Sequence, residues 1–479
     1  MTSLFRLEGI NNMDNHSLEE IDRHTVFHAS THLKDHASGA SGGPRIIESG
    51  SGIRIVDSNG VELLDAFAGL YCVNIGYGRK EMAAAIHAQA EKLAYYHTYV
   101  GHSNEPVIRL SERVLAMAPK GMSKIYYGMS GSDANETQIK LVWYYNNILG
   151  RPKKKKIISR HRGYHGSGLM TGSLTGLEVF HKAFDLPLPQ VRHTLTPHHY
   201  RYAEPGMSEE AFSNHCADAL EALIQTEGAN TVAAFIAEPV MGTGGIIPPS
   251  AGYWQAIQPV LQKYDVLLIA DEVVTGFGRI GTPFGCDNYD IRPDLITVAK
   301  GLTSGYLPLS GVLVGERVWE VLETGSDVLG PIGHGWTYSA HALCAAAGLE
   351  NLAILERENL VGNARDTGAY FQQAMHAAFD GHAMVGEVRG VGLMAALEFV
   401  ADKSSRRLFD AANKVGSRVS QACLDNGLIA RAMPHGDILG FAPPLIIDRG
   451  EVDEVVARTR RAVDTVAEAL EREKIWRAV

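Results

Sequence analysis

Between Lys124 and Gly315 the chain alternates short, nearly unbroken apolar runs with longer stretches whose apolar positions recur every three or four residues. The runs KIYYGM (Lys124–Met129), KIISR, VAAFIAEPV (Val232–Val240), VLLIADEV, LITVAKG and SGVLVG are short, and their mostly continuous apolarity is that of strands covered on both faces. SDANETQIKLVWYYNNIL, ADALEALIQTEG and YWQAIQPVLQKY carry the helical period, with Ser132 or Asp133 as the cap of the first. This alternation predicts an α/β architecture with a largely parallel sheet.

The flanks read differently. Residues 1 to about 40 are polar and predict an arm with a short helix. GIRIVDSNGVELLDAFAG (Gly52–Gly69) predicts a hairpin turning at Ser58-Asn59-Gly60. KEMAAAIHAQAEKLAYY and PVIRLSERVLAMAP predict helices. After Ser339 come a long helix rich in small residues, a hairpin over Glu387–Val400, a helix and strand over KVGSRVSQACLDNGLIARAM, and a charged amphipathic helix from Glu451 to Lys474. The expected division is an N-terminal arm and part of a small domain (1–75), a large domain (76–338) and the C-terminal part of the small domain (339–479).

Composition narrows the function. The net charge of -10 gives no global field for nucleic acid or an anionic membrane. The one basic run, Lys153–Lys156, reads as a solvated loop before a strand. Five widely spaced cysteines form no CxxC pair, which suits a reducing compartment. The first residues are polar and acidic where a secretory signal needs an apolar stretch, so the expected location is the cytoplasm. The twenty histidines show no HExxH spacing, and no metal is expected.

Two strand ends carry the candidate chemistry. LITVAKG stops at Lys300, and VLLIAD stops at Asp271. A charge ending a buried strand is costly unless something pairs with it. Pyridoxal phosphate (PLP) uses both residue types, the lysine as Schiff-base partner of its aldehyde and the aspartate as partner of its pyridine nitrogen. GMSGSDANET follows a strand and opens a helix, so Gly131 and Ser132 can present N–H groups and a hydroxyl to an anion. In HRGYHG, Tyr164 offers a flat ring for stacking on a cofactor. Val273 is placed to cover the opposite face. Glu238 ends the run VAAFIA before a glycine-rich loop and calls for a partner, either an arginine near the site or an ion pair tying loops together. Thr337, in HGWTYSAHALC, offers a hydroxyl for a phosphate. Neither GxxxxGK[ST] nor GxGxxG is present, which leaves nucleotide readings without support.

Several motifs occur together and in order: LDAFAGLYCVNIGYG, SGSDANET, ISRHRGYHG, FIAEPVMGTGG, ADEVVTGFGR, PDLITVAKGLTSGYLPLSG and HGWTYSAH. In these the chain resembles the class III aminotransferases of fold-type I, in the ω-transaminase branch near the putrescine– and β-alanine–pyruvate enzymes, from about Arg45 to Arg477. The resemblance implies a seven-stranded, mostly parallel sheet in the large domain. It implies Lys300 as Schiff-base lysine, Asp271 on the pyridine nitrogen, Tyr164 and Val273 on the two ring faces, and Gly131 and Ser132 at the phosphate. Thr337 would reach in from the second subunit of a homodimer, or of a dimer within a tetramer. Arg431, in GLIARAM, matches the mobile arginine that pairs with a substrate carboxylate. Tyr71 stands where the branch usually has tryptophan, and Glu238 matches a glutamate that neutralises an arginine in the GABA-type enzymes. Loops around Tyr71, Tyr99 and Trp143 are expected to set the pocket's size.

There are departures from the family pattern. Val274 replaces the glutamine of DEVQ, which favours the amine– or ω-amino-acid–pyruvate branch. Ala342 replaces the proline of SAHP, at the start of a helix. The resulting expectation is PLP-dependent transfer of an amino group from an amine or ω-amino acid, such as putrescine or β-alanine, to pyruvate. A decarboxylase, aminomutase or racemase of the same fold type is the alternative.

Overall fold

Seven strands line up in the order Met122–Gly128, Ser310–Gly315, Leu295–Val298, Leu267–Asp271, Val232–Ala237, Lys156–Arg160 and Val191–Thr194 in the computed structural model, which describes residues 17–40 and 42–477. Ser310–Gly315 runs antiparallel to both its neighbours, and the other six strands are mutually parallel. The strands Val232–Ala237, Leu267–Asp271 and Leu295–Val298 are buried at every position, as the continuous apolar runs predicted. Helices on both faces account for this: one core packs around Phe235, Leu268 and Ile296, the other around Ile236, Ile269 and Leu295. Successive side chains of one strand thus enter opposite cores.

The hairpin Arg54–Asp57 with Glu62–Asp65 is present, and it belongs to a four-stranded sheet that Leu428–Ile429 joins in parallel. A second four-stranded sheet contains the hairpin Val385–Val391 with Met394–Phe399, and also Ile438–Phe441 and Arg431–Ala432. Both ends of the sequence therefore build the smaller sheets, and we propose the domain division at 75/76 and 338/339 along these sheet boundaries. The helix Ala342–Arg357 spans that division, since it packs on Lys80–Leu93 and Glu105–Met117.

Three expectations are corrected. The cap of helix Gly131–Ile148 is Ser130, whose hydroxyl accepts the Asp133 N–H while the Asp133 carboxylate accepts the Ser130 N–H. This reciprocal box satisfies two N-terminal donors and starts the helix earlier than a cap at Ser132 would. Lys154 is not solvated: it is buried, and its ammonium donates to the carbonyls of Tyr264 (3.1 Å) and Asp265 (2.6 Å). Trp143 lines no pocket at the strand ends: its indole N–H donates to the Lys155 carbonyl and its ring packs against the second core.

The register gathers the strand ends. Asp271 pairs with Thr297, Ala237 with Ala270, and Val298 and Gly128 with the neighbouring Gly311 and Ser310. The residues that follow Gly128, Arg160, Ala237, Asp271 and Val298 all emerge at one edge of the sheet. In parallel sheets that is where ligands bind.

Candidate active site

A cavity of about 300 Å³ opens at this edge, lined by residues that include Gly131, Ser132, Tyr164, Glu238, Asp271, Val273, Val274, Lys300 and Arg431. Eight of the eleven residues singled out from the sequence meet here. Tyr71, Tyr99 and Thr337 do not line it.

Asp271 is 3% exposed, and its desolvation is offset by three donors. One carboxylate oxygen accepts the Asn135 amide (2.9 Å) and the ring Nδ1 of His165 (2.8 Å), and the other accepts the Val273 N–H (3.2 Å). A carboxylate can only accept, so the His165 proton sits on Nδ1. Asn135 is fixed in turn by donating to the His165 carbonyl (2.9 Å) and accepting from Thr297 (2.5 Å). Nothing in SDANET or HRGYHG marks Asn135 and His165 as partners of Asp271, because their convergence exists only in the fold.

Lys300 follows the strand Leu295–Val298 and adopts φ 44°. Left-handed backbone is strained for a lysine, and such strain collects at functional sites. Its ammonium sits 5.2 Å from the centre of the Tyr71 ring. Desolvation holds its pKa below the ordinary lysine value, opposed by Cys72, Asp271 and Glu238. Burial thus shifts the group toward the neutral amine relative to an exposed lysine.

The turn beneath Lys300 is left-handed at four successive residues: Ala68 (φ 47°), Gly69 (54°), Leu70 (89°) and Tyr71 (64°). Asp65 holds it, accepting the N–H groups of Phe67 (2.9 Å) and Gly69 (2.6 Å) and the Tyr77 hydroxyl (2.6 Å). This geometry corrects the expectation for Tyr71. The turn sends Leu70 into the cavity and Tyr71 underneath it, 1% exposed, with a buried hydroxyl that has no hydrogen-bond partner among the described residues.

Glu238 is buried, and burial pushes its carboxyl above the ordinary range. Its two oxygens accept the N–H groups of Tyr164 (3.1 Å) and Gly242 (2.7 Å). No arginine side chain pairs with it among the described residues, so both ion-pair expectations are replaced by a role in bracing the Tyr164 loop. Arg431 lines the same cavity without forming an ion pair among the described residues, its guanidinium 5.6 Å from the centre of the Phe67 ring.

Close approaches shape the remaining walls. A Cβ on Gly131 would stand 3.0 Å from a Val273 methyl, and one on Gly166 would stand 2.7 Å from the Ser132 hydroxyl. Gly166 also has φ 130°, outside what a side chain tolerates. Ser132 accepts the Ser167 N–H (3.2 Å), and the Tyr164 hydroxyl pairs with Ser167 (3.1 Å). A helix N-terminus, a strand-end lysine, a clamped carboxylate and a tyrosine thus surround one slot. That donor set fits PLP: N–H groups for the phosphate, Asp271 for the ring nitrogen and Lys300 for the aldehyde.

Tyr99 and Thr337 lie together elsewhere. The Tyr95 hydroxyl donates to the Thr337 carbonyl (2.5 Å), and Gly335 lies against the Tyr99 hydroxyl. The apolar residues next to them in the chain are exposed, Val100 at 91% and Tyr338 at 54%.

Comparison with known proteins agrees with this geometry. Residues 37–463 match the family described as Aminotransferase class-III. The chain is 66% identical over 454 residues to a diaminobutyrate–2-oxoglutarate transaminase of Halomonas elongata, covering 94% of this chain and 97% of that protein. It is 44% identical over 421 residues to a chloroplastic gamma aminobutyrate transaminase 3 of Solanum lycopersicum, covering 88% and 80%. The omega transaminase from Pseudomonas jessenii in complex with PMP superposes with a TM-score of 0.92 at 42% identity, over 95% of this chain and 99% of that one.

Proposed function

Since this chain belongs to the class III aminotransferases, we propose that it moves an amino group from a short diamine or ω-amino acid to a keto acid held by Arg431. The protein is a transaminase and PLP is its cofactor. The observation that carries the substrate reading is that Arg431 is the one arginine lining the cavity that contains Lys300 and Asp271 among the described residues.

When bound, PLP acts as an electron sink for the carbon that carries the amino group. The chain's residues then divide the work. Lys300 would hold the cofactor's aldehyde carbon and, with its pKa lowered by burial, would move the proton at the substrate carbon. Asp271, fixed by Asn135 and His165, keeps the pyridine nitrogen charged. Tyr164 and Val273 flank the ring, and Gly131 and Ser132 receive the phosphate. Thr337 and Tyr99 act on the partner's site in a homodimer. Their absence from the lining of this chain's own cavity and the exposed apolar side chains next to them in the chain, Val100 and Tyr338, support that arrangement.

Putrescine, β-alanine and 2,4-diaminobutyrate are the donors that this reading favours. A single guanidinium matches a keto acid with one carboxylate, so pyruvate is the proposed acceptor. A second reading, 2-oxoglutarate, is favoured by the name of the Halomonas elongata relative.

Steady-state kinetics with each keto acid in turn tests the proposal. Pyruvate is expected to give the higher kcat/KM. Arg431→Ala is expected to raise the KM for pyruvate by about tenfold or more while changing the KM for putrescine little. A higher kcat/KM with 2-oxoglutarate would establish the second reading, and an unchanged keto-acid KM in Arg431→Ala would exclude Arg431 from keto-acid binding.

A further inference from the structure

The N-terminal segment reaches the catalytic cavity through Ala29 and Ser30, both of which line it. Little apolar burial holds that segment. The helix Leu18–Thr25 has no buried residue, and Leu18, Val26, Phe27 and Leu33 are all exposed. What ties this helix to the following one, Leu33–Ser38, is a polar cluster. The Nε2 atom of His28 lies 2.8 Å from one Asp22 oxygen and 3.0 Å from the other, and the His36 Nε2 lies 3.3 Å from Asp22. The two imidazole rings are 4.6 Å apart.

His36 distinguishes this cluster from an ordinary ion pair. It is 8% exposed, its Nε2 has no hydrogen-bond partner among the described residues, and that nitrogen faces the Asp22 carboxylate. A buried ring nitrogen aimed at a carboxylate without bonding to it costs stability unless a third group joins the two. No lysine or arginine pairs with Asp22 among the described residues. The contrast is with His198, Glu387 and Glu398, which also cluster. There Arg389 donates to both glutamates and Arg201 pairs with Glu398, so the negative charge is already answered.

We propose that Asp22, His28 and His36 bind a divalent cation of the zinc class, and that the ion clips the N-terminal segment at the mouth of the catalytic cavity. Two imidazoles and a carboxylate are ordinary zinc donors, and with bonds of about 2.0–2.1 Å tetrahedral ligands stand roughly 3.3 Å apart. The His36–Asp22 separation already has that value. His28 reaches it from Asp22 by opening its hydrogen bond by about half an ångström, and all three ligand atoms lie within 4.8 Å of one another. Its partly exposed side leaves the fourth position to water. Ala29 and Ser30 follow His28 directly, so fixing His28 fixes the residues that face the catalytic pocket. The cation site stands apart from the substrate reading, because none of its ligands lines the cavity. Spacings of six and fourteen residues hid it from a search for metal motifs.

The test is Zn²⁺ binding to the full-length holoenzyme after dialysis against a chelator, read by competition with a chromogenic chelator. Limited proteolysis of residues 25–33 serves as the second readout. The expected result is one Zn²⁺ per chain and slower cleavage when it is bound. His28→Ala, a change at a surface side chain, and Asp22→Asn should each weaken binding by about tenfold or more and abolish the protection. Absence of saturable binding, or equal binding by both variants, would overturn the site. Binding without protection would overturn the clip. Neither readout depends on turnover, so failure of the transamination reading leaves both results interpretable.

Discussion

Lys300→Ala is expected to lower kcat by at least about 10³-fold, with the fold retained. The loss should be large because one side chain performs two tasks, holding the cofactor and moving the proton, and no other lysine among the described residues lines the cavity. The fold should survive because Lys300 lies past the end of its strand, and removing a desolvated amine leaves no hydrogen-bond network broken. Single-turnover and steady-state assays on the purified variant measure the first effect, and thermal unfolding measures the second. Turnover within tenfold of the unaltered protein would remove Lys300 from the catalytic role.

Asp271 should show a different pattern. Asp271→Asn is expected to cost about 10²–10³-fold in kcat, because an amide can fill the space but cannot hold a charged pyridine nitrogen. The substituted amide still offers an oxygen to Asn135 and His165, but its NH2 then faces the Val273 N–H, so a modest loss of stability is expected. Asp271→Ala removes both oxygens and takes the acceptor from the Asn135, His165 and Val273 donors, at about 1–3 kcal/mol for each that is left buried and unpaired. Comparing kcat with the denaturant midpoint for the two variants separates the functions. Equal kcat in Asp271→Asn and the unaltered protein would mean that the carboxylate is structural only.

The large sheet was legible because its strands are buried on both faces, so apolarity runs unbroken and ends abruptly. Asp271 and Lys300 were conspicuous for the same reason, as charges at the ends of such runs. Asn135 and His165 were not, because what matters about them is convergence on Asp271 from points 136 and 106 residues away in the chain. The placement of Tyr71 under Lys300 depends on four left-handed residues held by Asp65. Spacing along the sequence carries no sign of φ, so an aromatic residue whose loop was expected to set the pocket's size lies beneath the lysine. The expected arginine partner of Glu238 failed similarly, since backbone N–H groups of a glycine-rich loop can satisfy a carboxylate as well as a side chain does. Lys154 shows the limit of composition, because a run of four lysines looks solvated until two loop carbonyls close over one of them.

The most direct test of transamination at this site is a half-reaction: purified holoenzyme mixed with putrescine, β-alanine or 2,4-diaminobutyrate, with no keto acid present. At least one donor is expected to convert the cofactor's absorbance from its aldehyde form to its amine form, releasing one equivalent of carbonyl product per site. Adding pyruvate should then restore the original spectrum and yield alanine. A cofactor spectrum unchanged by every donor while carbon dioxide is released, or conversion that no keto acid reverses, would contradict it.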